Sequence, residues 1–176
     1  ADIDLDPSLP GRKVFDKAVI APDVNDATGW FEGASFTGVL DGNGHLISHL
    51  TIVGGGCLGL FGKLQSGAKV RDLGIVDVSI TGSGDYVGGL VASNSGILTG
   101  CYITGAPGGR NYIGGLVGDN GGTVTECYSA GAVAGDFHVG GLVGIDYGGS
   151  VAYCYSTGAV RGKLTVSVGG LVGTGP

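Results

Sequence analysis

The chain has 176 residues and a formal net charge of −6; 40 residues are glycine, 43% are hydrophobic and 14% are charged. Its few basic residues are scattered, which argues against a nucleic-acid partner, because phosphate binding depends on clustered lysine and arginine. Irregular glycine spacing excludes collagen, and no apolar run reaches the length of a membrane-spanning helix, so we expect no membrane insertion.

The first 56 residues are predicted to form irregular N-terminal coils and a cap-like loop. Residues 36–52 contain an Asp-Gly-Asn-Gly turn between two strand-like runs. Residues 14–32 are the least regular, and we expect Trp30 and Phe31 to cover the open end of the fold, where edge strands would otherwise be free to pair. The chain lacks a signal sequence, so we expect a mature protein or a fragment of a longer one.

An acidic pattern near the N-terminus resembles the start of a calcium loop. In Asp2-x-Asp4-x-Asp6, however, proline follows where that loop needs glycine, and lysine stands where it needs glutamate. We expect a strand with Ile3 and Leu5 buried, and casual calcium binding at this acidic edge is the alternative.

Two histidines lie four residues apart in a strand-like run. His45 and His49 would then be about 13 Å apart, too far to ligate one ion. We therefore predict surface histidines, no metal site and no cofactor.

Residues 57–176 consist of near-copies of one unit. The sequence Val-Gly-Gly-Leu-Val, with isoleucine once in first place, occurs four times, and its leucine recurs at steps of 26, 26 and 29 residues. A strand-and-turn unit of this length predicts one coil of a parallel β-helix. We predict an all-β fold with little or no helix: a single solenoid domain over residues 1–176, of about six to seven coils, right-handed by the general preference of parallel crossovers.

Stacked coils should place equivalent residues in columns along the axis. Four apolar columns are expected to point inward, and one polar column should form a hydrogen-bonded ladder at a bend. The apolar columns are Leu90, Leu116, Leu142 and Leu171; Val87, Ile113, Val139 and Val168; Leu98, Val124 and Val151; and Cys101, Cys127 and Cys154; the polar column is Asn94, Asn120 and Asp146.

The cysteine column has two interpretations. Cysteines one coil apart lie within disulfide range, but side chains in register point in parallel, and bridging them would twist the coils. We favour a buried ladder of reduced thiols over disulfides, and Cys57 belongs to a different part of the unit.

Two aromatic columns are the candidate binding residues. In the simpler interpretation each ring packs on the next; in the other, an exposed column offers a surface on which sugar rings stack. The first column is Tyr102, Tyr128 and Tyr155, and the second is Tyr86, Tyr112 and His138.

These motifs resemble the GLUG repeat family of bacterial secreted and surface proteins. The resemblance implies a β-helical stalk, as in adhesin-like proteins and in the non-catalytic region of immunoglobulin A-cleaving metalloproteases, with any chemistry elsewhere. The repeat pattern is carried by residues 115–120, 124–128 and 131–133, and the usual entry into such arrays by residues 2–5, 29–30 and 36–45.

The leading functional hypothesis is a non-catalytic, extracellular or cell-surface structural and adhesive module. Its expected partners are a surface or matrix protein or glycan, or further copies of itself stacked end to end into filaments. Carbohydrate binding through a tyrosine column is the alternative. A β-helical polysaccharide lyase or hydrolase is less favoured, because Asp85, Glu126 and Asp136 fall in different columns.

Overall fold

The computed structural model describes residues 1–25, 28–164 and 167–175, and the regular elements within them are all β-strands. The described residues include no helix that is long and apolar enough to cross a membrane. In chain order the strands are β1 (Ile3–Asp4), β2 (Val39–Asp41), β3 (Leu46–Ser48), β4 (Thr51–Gly54), β5 (Phe61–Leu64), β6 (Lys69–Arg71), β7 (Gly74–Gly82), β8 (Val87–Gly88), β9 (Val91–Asn94), β10 (Ile97–Thr99), β11 (Tyr102–Gly108), β12 (Asn111–Gly114), β13 (Val117–Asn120), β14 (Thr123–Thr125), β15 (Tyr128–Ser129), β16 (Val133–Gly135), β17 (Phe137–Gly140), β18 (Val143–Asp146), β19 (Ser150–Ala152), β20 (Tyr155–Ser156), β21 (Val160–Gly162), β22 (Val168–Gly169) and β23 (Val172–Thr174).

The strands form four parallel sheets that run along the solenoid axis, with each strand paired to its equivalent in the next coil. Two sheets have five strands, β5-β9-β13-β18-β23 and β2-β6-β10-β14-β19, and one has four, β8-β12-β17-β22. The largest has nine: β1-β3-β7-β11-β15-β20, with β4, β16 and β21 alongside. The predicted all-β parallel solenoid is confirmed.

The leucines of the repeat lie beside one another on adjacent coils. The backbone N–H of Leu116 donates to the carbonyl of Leu142 at 2.9 Å, and that of Leu90 donates to Leu116 at 3.0 Å. All three side chains are fully buried. The core is therefore a set of stacked apolar columns inside the coils.

The predicted inward orientation holds in the central coils and weakens in the last described one. Val87, Ile113 and Val139 are fully buried, whereas Val168, predicted to point inward, is 47% exposed. Its strand β22 is the outermost of its sheet, so only one side of Val168 is covered by a neighbouring coil.

The solenoid has about five turns rather than the six to seven that we predicted, as the five-stranded sheets indicate. The N-terminal residues do not complete further coils. They reach the solenoid through β1, which pairs with β3, and through isolated bridges, which pair Phe15 with Ile52, Ile20 with Phe61 and Phe36 with Leu64.

The N-terminal segment departs from expectation in two side chains. Ile3 was expected to be buried but is 48% exposed, because β1 is the outermost strand of its sheet and Leu5 makes the contact with the core. Trp30 is 70% exposed. The bridges of Ile20 and Phe36 to β5 cover the edge of the first full coil instead.

Each coil bends where one residue adopts the left-handed conformation, which is uncommon for residues other than glycine. One bend falls at the same position of the repeat every time. Its residues are Cys57, Tyr86, Tyr112, His138 and Ser167, with φ between 49° and 61°. The second aromatic column therefore stands on a corner of the solenoid.

The Gly-Gly pair after this corner allows backbones to approach closely. A Cβ on Gly114 would overlap the carbonyl oxygen of Val117 and lie 2.7 Å from the backbone N of Gly144 in the next coil. The obstacle is backbone that cannot move aside without breaking the coil-to-coil hydrogen bonds.

We expect Gly114→Ala to lower the free energy of unfolding by about 3 kcal/mol, the upper range for overpacking. Gly121→Ala is the matched control, because its Cβ would meet nothing closer than the Asn94 carbonyl at 3.9 Å; its effect should stay within about 0.5 kcal/mol. Urea denaturation of the two variants measures the difference, and equal losses would contradict this role of the glycine.

Candidate functional site

The first aromatic column is a close stack of tyrosines that begin β11, β15 and β20. The ring centroids of Tyr102 and Tyr128 are 4.8 Å apart and those of Tyr128 and Tyr155 are 4.9 Å apart, with 3° between the planes in each pair. Within the stack the ring faces cover one another, so the edges face outward. Tyr155, which ends the stack, is 53% exposed.

The second column is stacked in the same way on the corner of the solenoid. The centroids of Tyr86 and Tyr112 are 4.9 Å apart, and those of Tyr112 and His138 are 5.0 Å apart. Burial raises the pKa of both tyrosines, so their hydroxyl groups stay neutral at physiological pH.

This second column starts at Tyr86, because the equivalent corner of the preceding coil carries Cys57. One face of the Tyr86 ring stacks on Tyr112. Beside Tyr86 lies a cleft, called here the Tyr86 cleft, which combines aromatic, basic and acidic side chains. Its lining residues are Trp30, Phe31, Cys57, Lys63, Tyr86, Ser93 and Asp119.

Three polar residues of the cleft come from one position of the repeat. Strand pairing places Lys63 of β5 beside Ser93 of β9, and Ser93 beside Asp119 of β13. Since side chains alternate along a strand and Asn94 and Asn120 are buried, this position faces outward.

Asp119 is the least satisfied polar group of the cleft. Its Oδ2 accepts a hydrogen bond from Ser93 Oγ at 3.2 Å, whereas its Oδ1 is buried and has no hydrogen-bond partner. Burial raises the pKa of Asp119, against the lowering effects of the Ser93 hydrogen bond and of the Lys63 charge. A buried carboxylate oxygen without a donor is costly unless a ligand or water supplies one.

Sequence reasoning missed Lys63, Ser93 and Asp119. Asp119 pairs with Ile145, one position before Asp146 of the asparagine ladder. The available signal was that the third residue of the motif strand is polar in three successive copies, next to an aromatic column.

The polar column forms a hydrogen-bonded ladder. Asn94 Nδ2 donates to Asn120 Oδ1, and Asn120 Nδ2 donates to Asp146 Oδ1, both at 2.8 Å. The amide oxygens of Asn94 and Asn120 accept backbone N–H groups two residues later, from Gly96 at 3.0 Å and from Gly122 at 3.3 Å respectively. Asn94 and Asn120 therefore hold the bends and are buried away from ligands.

The cysteine column is held by hydrogen bonds between thiols and backbone, and Cys101, Cys127 and Cys154 are free thiols. The N–H of Cys101 donates to Cys127 Sγ, and that of Cys127 donates to Cys154 Sγ, both at 3.4 Å. Hydrogen bonds from the Cys127 side chain and backbone lower the pKa of Cys154.

Two aspartate–histidine pairs join the acidic N-terminal strand to the solenoid. His45 Nδ1 lies 3.1 Å from Asp2 Oδ1, and His49 Nδ1 lies 2.9 Å from Asp4 Oδ1. The hydrogen bond to Asp4 raises the pKa of His49 and that to His49 lowers the pKa of Asp4. Within the described residues, no group of three or more His, Cys, Asp or Glu side chains is placed to hold a metal ion.

Comparison with known proteins supports the predicted resemblance. A family model described as the GLUG motif matches residues 135–161, which is about one coil. Halomucin of Haloquadratum walsbyi is 39% identical over 77 residues, which cover 43% of this chain and 1% of Halomucin. The chain thus corresponds to a very small part of that relative, and no solved structure gives a significant match.

We expect Asn120→Asp to destabilise the fold by about 3 kcal/mol at neutral pH, because it places a second carboxylate beside Asp146 and removes the donor between them. Asp146→Asn is the matched control. Its amide oxygen can still accept from Asn120, so its effect should stay within about 1 kcal/mol. Urea denaturation compares the two variants, and a loss for Asp146→Asn as large as that for Asn120→Asp would contradict the hydrogen-bond directions described above.

We expect attachment of the N-terminal strand to depend on pH. The raised pKa of His49 gives stabilisation that is complete below 6.5 and is lost as pH rises through the folded value. The lowered pKa of Asp4 gives stabilisation that is present above 3.8 and is lost as pH falls through the folded value. Attachment is therefore strongest between about pH 4 and 6.5.

Hydrogen exchange of the Leu5 amide, which donates to Ser48 at 2.9 Å, measures this attachment. After correction for intrinsic rates, protection should be a few-fold higher at mildly acidic pH than at mildly alkaline pH, the range of an exposed ion pair. His49→Asn is the control, because asparagine tolerates the φ of 57° at this position. Persistence of the full pH effect in that variant would assign it to other groups.

Proposed function

We propose that this chain is a rigid, non-catalytic repeat module of a longer cell-surface or extracellular protein. The observation that carries the proposal is the continuous stacking of like residues, with Leu116 hydrogen-bonded through its backbone to both neighbouring coils. Such a solenoid sets a fixed distance and presents its outer faces to a partner, which we take to be a surface or matrix protein, a glycan, or another copy of the chain.

The composition of the coils supports a structural role. Consecutive coils place the same residue types in the same columns, and two hydrogen-bonded ladders, through Asn120 and Cys127, bond coil to coil inside the fold. The match to the GLUG motif and the similarity to Halomucin support a surface-associated setting.

The arrangement of acidic residues supports a non-catalytic module. Asp85 accepts a hydrogen bond from Asn111 Nδ2 at 2.8 Å on the corner of the solenoid, and Glu126 lies at another bend. General acid–base cleavage of a polysaccharide needs two carboxyl groups that face one scissile bond.

A structural module should tolerate the loss of one whole coil. Deletion of residues 112–137 joins Asn111 to His138, the equivalent of Tyr112, and keeps every column in register. We expect this variant to remain a cooperatively unfolding β protein, because stability in a solenoid is a sum over neighbouring coils. Circular dichroism with urea denaturation measures it.

The matched control removes residues 112–124, about half a coil, which displaces all later columns and should prevent folding. Two results would contradict the proposal. One is loss of folding when the whole coil is deleted. The other is release of reducing ends when the intact chain is incubated with polysaccharides.

Carbohydrate binding is a second candidate function. The ring of Tyr128 is covered on both faces, by Tyr102 and Tyr155, so it offers only its edge to a ligand. The observation that favours this function is the Tyr86 cleft, where an aromatic ring lies beside an unsatisfied carboxylate oxygen.

A further inference from the structure

We propose that the Tyr86 cleft binds one pyranose ring of a glycan, with the C–H face of the sugar on Tyr86 and a sugar hydroxyl donating to Asp119. This inference rests on the second candidate function. It is independent of the structural role, because a chain that fails to bind sugar could still act as a rigid module.

The end of an aromatic stack supplies the stacking surface. Tyr112 lies between two rings, at 4.9 Å from Tyr86 and 5.0 Å from His138, so both of its faces are covered. Tyr86 has an aromatic neighbour in the column on one side only, since the preceding corner residue is Cys57. A ring that stacks on the face of Tyr86 opposite Tyr112 continues the column at the same distance between ring centroids.

Asp119 supplies a preorganised acceptor. Ser93 Oγ occupies Oδ2, so Oδ1 is left as a buried acceptor with no donor. Strand β13 is fixed in register between β9 and β18, which holds the carboxylate in place before any ligand arrives. Oδ1 is shielded from water in the free chain, so a sugar hydroxyl that donates to it must displace the shielding side chains as it enters, and an aromatic hydrocarbon ring offers no such donor.

The positive charge of Lys63 favours a sugar over a cationic ligand. Three aromatic residues beside a carboxylate could also form a cage for a quaternary ammonium group. Lys63 Nζ, however, lies 5.7 Å from the ring centroid of Phe31 and already places a positive charge in the cleft. It repels a second cation, while its N–H groups can donate to sugar oxygens.

The loop that carries Trp30 forms the outer wall of the cleft, and hydrogen bonds hold this loop in place. Thr28 Oγ1 donates to the Trp30 carbonyl at 3.2 Å, and the N–H of Glu32 donates to Asp23 Oδ1 at 2.8 Å. Asp23 is itself buried. These hydrogen bonds fix the loop that places Trp30 beside the cleft.

The size of the cleft limits the ligand to one ring. Its volume is about 190 Å³, below the roughly 300–1,000 Å³ of pockets that bury a drug-sized molecule. The remainder of a glycan chain would lie outside it, and the affinity for one ring should be in the millimolar range.

Trp30 is the only tryptophan of the chain, so its fluorescence reports directly on the cleft. The test titrates the full chain with the methyl glycosides of glucose, galactose, mannose and N-acetylglucosamine, and separately with tetramethylammonium chloride. We expect a saturable change in Trp30 emission with at least one glycoside and none with tetramethylammonium.

Two variants and one control assign the site. Asp119→Asn should raise the dissociation constant about tenfold, since it removes the charged acceptor, and Ser93→Ala should weaken binding by a smaller factor through the loss of the hydrogen bond that orients Asp119. Asp77→Asn, at an exposed carboxylate of another sheet, should leave binding unchanged. Urea denaturation verifies that each variant is folded.

Three results would overturn the inference: no saturable response to any glycoside, a response to tetramethylammonium alone, or sugar binding that neither Asp119→Asn nor Ser93→Ala weakens. None of these results bears on the coil-deletion test, so the failure of sugar binding and the failure of the structural role are distinguishable.

Discussion

The hydrogen bonds that join the backbone of each coil to the next are the interaction on which the structure depends. They hold Leu90, Leu116 and Leu142 beside one another, and every other column follows from that register. The register in turn depends on the Gly-Gly pair, because a side chain at Gly114 would collide with the backbone of its own coil and of the next. Glycine abundance in this chain is therefore a condition of close stacking rather than a sign of flexibility.

Periodicity made the fold and its interior predictable, because a fixed step between like residues determines which side chains become neighbours. The leucine, asparagine and cysteine residues could be assigned to columns from their spacing alone. The first 56 residues lack this period, and those before β2 join the solenoid through β1 and isolated bridges, so neither the number of coils nor the exposure of Ile3 followed from the sequence. The Tyr86 cleft was hidden for the same reason, since Trp30 reaches it on a loop outside the repeat.

The repetition of residues from coil to coil also limits which groups on the surface are available to a ligand. In the middle of an aromatic column, each ring face is covered by the next ring, and the inward amides of Asn94 and Asn120 are bonded to the next coil. A different surface arises where the pattern is broken. Cys57 is such a break, since a small side chain stands where later coils carry Tyr86, Tyr112 and His138. Trp30 and the unsatisfied oxygen of Asp119 lie at the same break.

The asparagine ladder has a direction, because every amide donates toward the C-terminal side, from Asn94 to Asn120 and from Asn120 to Asp146. An ionised carboxylate accepts but cannot donate, so the relay ends at Asp146. The next coil presents Gly175 at this position, one residue after the pairing of Ile145 with Thr174, and has no side chain to receive a further bond. Replacement of asparagine by aspartate thus ends the amide ladder at Asp146, and the coil beyond it is held by backbone hydrogen bonds without a side-chain ladder at this bend.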